Sequence, residues 1–218
     1  LLAVLMVISP FSEALGELGW FSAWTSGDNG NDTVHNNTAY SNGEYSVLYG
    51  DIIVVGSGFN KDISEDLAAA LGIDAAKVVY YAENVANATA AAGAGSLVVY
   101  ACGTSEVANA TEYAAPDAFK TKLSAEVEAY KAKGADVLLV TPGPIVEYGA
   151  GMYYATHSGW TAQEIASGNN VTNLLRSYVE AISEVATEKN VGIVSLYGRA
   201  KLFGEEEYMA GTTDGIYP

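Results

Sequence analysis

Leu97-Val98-Val99-Tyr100-Ala101-Cys102-Gly103-Thr104-Ser105-Glu106 is the stretch on which the fold turns. Its first six residues are apolar without alternation, the pattern of a strand buried on both faces of a parallel sheet. Gly103 ends the run and polar residues follow. The flanks repeat the grammar. Phe119 to Lys133 has helical periodicity, Gly134 supplies its C-cap, and Val137 to Val140 reads as the next strand. A long loop leads to a helix over Val171 to Lys189 and a strand over Val191 to Leu196. On the amino-terminal side, Asp51 to Val55 reads as a second strand and Ser64 to Leu71 as a helix with Ser64 as N-cap. Val78 to Tyr81 reads as a short strand and Ala86 to Ala94 as an Ala-rich helix.

Leu1 to Ile8 is apolar but far shorter than the about 20 residues a membrane helix needs. It reads as a buried first strand, followed through Pro10 by a helix from Phe11 to Trp24. The absence of an initiator Met suits a processed product or part of a longer chain. Residues 25–50 are rich in Gly, Asn, Asp, Ser and Thr and form a surface insertion. Strand and helix alternate throughout, so the expectation is one α/β domain over residues 1–218, a three-layer sandwich with a central parallel sheet.

The 26 acidic residues against 10 Lys and Arg give a net charge of −16. Such a surface repels nucleic-acid phosphates and anionic membranes, and no run of sequence spans a bilayer. Cys102 is the single cysteine, so no disulfide can form within the chain, and its apolar setting assigns it to the core. Compartment is read from asparagine instead. Five Asn-x-Thr sequons, at Asn31, Asn36, Asn87, Asn109 and Asn170, occur where composition alone predicts roughly one. The expectation is a secreted, extracellular glycoprotein carrying N-linked glycans.

Chemistry in an open α/β sheet belongs at the carboxyl ends of strands. Asp214-Gly215-Ile216-Tyr217-Pro218 has the shape of a closing Asp-Gly-Ile-His-Pro motif, and Gly103-Thr104-Ser105-Glu106 that of Gly-x-Asn-Asp after an apolar strand. With the order of the segments, these motifs resemble the SGNH (GDSL) hydrolases, the acetylesterase type included, over nearly the whole chain. That resemblance implies an SGNH/flavodoxin-like fold. It also implies a nucleophilic Ser after the first strand, oxyanion donors from a Gly after the second and an Asn after the third, and the closing Asp and His.

Against that pattern the site is degenerate. Tyr217 stands where the His should be, and a phenol with pKa about 10 cannot serve unaided as a base near neutrality. Ser105 replaces the Asn amide. In the block Val54 to Ser64, Lys61 falls on the oxyanion Gly, with Gly58 as the other register. Ser9 is the nucleophile in one register of Val7 to Glu13; in another Pro10 takes that place. Aligning the first block to Gly56-Ser57-Gly58 puts Gly58 at the nucleophile and leaves little chain before the third block. Ser9, Lys61, Ser105, Asp214 and Tyr217 are therefore vestigial positions rather than a working set.

Gly56-Ser57-Gly58 lacks the Lys-Ser/Thr of a phosphate loop, and Asp28 to Asp32 lacks the ligand spacing of a calcium loop, so no cofactor or metal is expected. Fifteen Tyr and three Trp, several in loops (Tyr148, Tyr153, Tyr154, Trp160), suit core packing or contact with a partner. The leading expectation is a non-catalytic, structural SGNH-like subunit of an extracellular filament or surface coat. Its partners would be copies of itself or other extracellular glycoproteins. The rivals are a carbohydrate or lipid esterase using Ser9 and a carbohydrate-binding module.

Overall fold

The computed structural model describes residues 49–203 apart from 58, 60, 61 and 72. Ser9, Lys61, Asp214, Tyr217, the sequons at Asn31 and Asn36, and the strand, helix and insertion expected before residue 49 lie outside the described residues.

The described chain runs β1 (Asp51–Gly56), α1 (Ile63–Leu71), a 3-10 turn (Ala75–Lys77), β2 (Val78–Tyr80), α2 (Val85–Ala91) and β3 (Ser96–Ala101). It continues through α3 (Thr104–Ala108), α4 (Asp117–Ala132), β4 (Asp136–Val140), α5 (Tyr153–Thr156), α6 (Ala162–Ala166), α7 (Val171–Lys189), β5 (Gly192–Val194) and α8 (Leu196–Phe203). All strand pairs are parallel, in the order β2-β1-β3-β4-β5. This is the doubly wound 2-1-3-4-5 order, with its switch point between β1 and β3.

The period of two along each strand divides the core. Ile53, Val55, Val98, Tyr100, Val137 and Leu139 face α2, α4 and α7, meeting Ala88, Leu123, Val127, Tyr130, Ile182 and Val185. Ile52, Val54, Leu97, Val99, Leu138 and Val140 face the other way, against Ile63, Leu67 and Leu71 of α1. Helices on both faces make the three layers, and explain why β1 and β3 are continuous apolar runs.

Helix ends follow local chemistry. The side chain of Asn170 accepts from Asn173 N, and Asn190 closes α7 at φ 51° in the left-handed region, so its bounds coincide with those expected. Asp51 to Val55, read as a second strand, is β1 here, and the strand expected before it lies outside the described residues. Two ends differ from the sequence reading for a local chemical reason. Ser64 is not an N-cap: the carbonyl of Asp62 accepts from Glu65 N and Asp66 N, leaving Ser64 inside the first turn. The strand expected to reach Leu196 stops at Val194, because Ser195 Oγ accepts from Gly198 N at 2.9 Å and starts α8. No helix among the described residues is long and apolar enough to cross a membrane.

Candidate functional site at the β1/β3 switch point

The carboxyl ends of β1 and β3 converge closely. Gly56 ends β1 at φ 113°, and a Cβ there would lie 1.7 Å from the carbonyl oxygen of Ala101 at the end of β3. Only glycine permits that approach. Gly56 N–H donates to Ala82 O at 2.6 Å, joining the turn after β2 to the same point. The Tyr80 hydroxyl lies 3.2 Å from Gly56 O and 3.0 Å from Phe59 O, and so holds the loop that leaves β1.

Ser57 is the first residue of that loop. Its Oγ accepts from the backbone N–H of Ser105 at 3.0 Å, at the start of α3. Ser105, the expected stand-in for the oxyanion Asn, is thereby brought to the switch point. Its own Oγ lies 3.3 Å from Asn109 Nδ2, which donates to Ser105 O at 2.8 Å. Glu106, beside it, lies 3.7 Å from Lys122 Nζ. Ser57 had no role in the sequence reading beyond its place in the Gly56-Ser57-Gly58 register. Its contact with a residue 48 positions away has no local signal.

An aromatic group packs behind α3. The buried Tyr153 hydroxyl lies 3.0 Å from Val107 O and 3.2 Å from Ala110 O, and Trp160 Nε1 donates to Ala110 O at 3.0 Å. His157 stacks on Tyr153 with ring centroids 4.3 Å apart. Its Nδ1 lies 3.0 Å from Tyr153 O and 2.9 Å from Thr156 Oγ1. Tyr154 Oη accepts from Val171 N at 2.9 Å, and burial holds this phenol up at about 12. Burial likewise raises Tyr80 and Tyr153. These phenols are tuned away from neutrality, the reverse of what a general base requires.

Cys102 is buried in the core as expected, with its thiol pushed well up by burial. Among the described residues no group of three or more His, Cys, Asp or Glu could hold a metal ion. Of the sequons, Asn87 lies on the first turn of α2, Asn109 closes α3 and Asn170 caps α7.

The chain is similar in structure to a protein of Slackia heliotrinireducens assigned to the SGNH hydrolases, at 18% identity, covering 78% of this chain and 90% of that one with a TM-score of 0.54. It is also similar to a GDSL-like lipase from Bacteroides thetaiotaomicron, at 17% identity, covering 78% and 80% with a TM-score of 0.51. No protein-family model and no curated protein matches the sequence. The fold is SGNH-like. At these identities the likeness is one of architecture, and the chemistry has to be argued from the residues.

Proposed function

We propose that this chain is a non-catalytic SGNH-like glycoprotein that works outside the cell as a structural or assembly subunit. The observation that carries the reading is the use of Ser57. With β1 between β2 and β3 in the 2-1-3-4-5 order of the described strands, the loop at its end is Gly56-Ser57-Gly58, and the nucleophile position falls on Gly58. The one hydroxyl of that loop is engaged in holding the start of α3. After β2 the turn reads Tyr81-Ala82-Glu83-Asn84, without the glycine the resemblance implies, and Ser105 stands for the Asn after β3. Tyr217 in place of His leaves the closing motif without its base.

Secretion and glycosylation rest on the five sequons. Assembly is favoured by β2 and β5, the edge strands among the described residues, each of which turns a β-branched side chain to solvent: Val79 is 41% and Ile193 36% exposed. Exposed edges of this kind invite pairing with another chain. The partners are copies of this chain or other extracellular glycoproteins.

The test is hydrolysis of short acyl esters, with covalent labelling by a fluorophosphonate, on the protein and on Ser9→Ala and Ser57→Ala. No serine-dependent turnover and no labelling are expected. Turnover lost in Ser9→Ala would establish the esterase instead. Carbohydrate binding is the second reading, favoured by Tyr148, which is 65% exposed beside Tyr154. A glycan array decides it, and light scattering of the secreted protein decides assembly.

A further inference from the structure

In a parallel α/β sheet each strand delivers the chain to its carboxyl edge, and the helix that follows starts there. The starts of α2, α3 and α7 therefore lie on the edge that holds Ser57 and Ser105. All three described sequons sit at this edge: Asn87 in the first turn of α2, Asn109 at the end of the five-residue α3, and Asn170 at the N-cap of α7. The described segments that return the chain to the opposite edge, residues 73–77, 92–95, 133–135 and 190–191, contain none.

The side chains are compatible with modification in place. Asn87 and Asn109 are exposed. Asn170 caps α7 through Oδ1, so a sugar on Nδ2 leaves the cap intact. Asn109 Nδ2 has two hydrogens. One suffices for its 2.8 Å bond to Ser105 O, and a sugar replacing the other stands beside Ser105 Oγ, itself 3.3 Å away. A shallow hollow of about 330 Å³, lined by Tyr113, Asn169, Asn173 and Arg176, adjoins the Asn170 sequon. Tyr113, four residues past Asn109, is 38% exposed and offers a ring on which a sugar can pack.

We infer that N-glycans on Asn87, Asn109 and Asn170 form a canopy over the carboxyl edge of the sheet, closing the place where an enzyme of this fold would admit substrate. The inference rests on the glycoprotein reading above and deepens it. The full chain, produced through a eukaryotic secretory pathway, is analysed by site-resolved glycopeptide mass spectrometry. Hydroxyl-radical labelling of Tyr113 is then compared before and after enzymatic removal of the glycans from the folded protein. The expected result is occupancy at all three sites and a several-fold rise in Tyr113 labelling on removal. A bare Asn109 with Asn87 or Asn170 occupied overturns the canopy and leaves the glycoprotein reading standing, as does Tyr113 labelling that removal leaves unchanged. A chain bare at every sequon overturns both.

Discussion

The backbone N–H of Ser105 donates to Ser57 Oγ at 3.0 Å, tying the first turn of α3 to the loop that leaves β1. The bond crosses the switch point of the sheet, where an open α/β fold ordinarily leaves a crevice for a ligand. Here the contact makes the serine part of the framework. Ser57→Ala removes the acceptor and leaves a half-buried N–H without its partner, at a cost of about 1 kcal/mol. Urea unfolding should report that loss, while ester hydrolysis stays where it was; a fall in turnover would return Ser57 to the chemistry.

Gly56 and Gly95 offer a matched pair, since both have positive φ, at 113° and 82°. A Cβ at Gly95 meets nothing within 4 Å, so Gly95→Ala should cost only the backbone strain, about 1–2 kcal/mol. At Gly56 the added carbon would overlap the Ala101 carbonyl, which is locked in the β1–β3 ladder and cannot give way. Gly56→Ala should lose more than about 4 kcal/mol or fail to fold. Equal stabilities of the two variants would contradict the close approach of the strand ends.

Glu126 gives a pH dependence with a defined sign. Burial raises its carboxyl above the ordinary range, partly offset by the hydrogen bond from the Tyr100 hydroxyl at 2.8 Å and by Lys122, with Glu106 pushing upward again. The folded state therefore keeps the proton to higher pH than the unfolded chain. Its contribution is fully present below the unfolded carboxyl pKa and is lost as pH rises through the folded one. Glu126→Gln removes that loss and keeps an acceptor for Tyr100. The stability of the variant relative to the parent should rise from about pH 4 to about pH 7; a constant difference would refute the assignment.

Cys102 should be chemically silent. The side chain is 4% exposed, and burial together with Glu106 and Glu126 pushes the thiol well above its ordinary value. Thiolate is the reactive form, so iodoacetamide should leave the native protein unmodified and label it stoichiometrically in denaturant. Rapid labelling under native conditions would mean that the β3–α3 junction opens.

Much of the architecture was legible because buried parallel strands are written as continuous apolar runs. Ser96–Ala101 is the expected strand shifted by one residue at both ends, and Asp136–Val140 differs from its expectation by one residue at its start. The short elements were not legible. Thr161 and Glu164 form a capping box at the start of α6, a signal present in Thr161-Ala162-Gln163-Glu164 but not used. At α8 the apolar letters resume after Ser195 with Leu196 and Tyr197, and the change from strand to helix is marked by the Ser195 side chain, which accepts from Gly198 N. The site was the least legible. Of its members, Ser105 was found through its motif and Ser57 was passed over, because strand order, and with it the block that follows the first strand, is set by pairings such as Ile52 with Val78 and Leu97 that no local pattern encodes.

The place of β1 between β2 and β3 has a consequence for how the chain acquires its structure. Both neighbours of β1 are made after it, so on a growing chain the Ile52 to Val55 run waits for its first partner until Tyr80 has been synthesised and for its second until Ala101 has. Parallel pairing of this kind closes long loops before any contact rewards them, which makes nucleation slow and leaves sticky intermediates exposed to one another. The net charge of −16 then acts during biogenesis, keeping partly folded copies apart by mutual repulsion through the interval in which β1 has no partner.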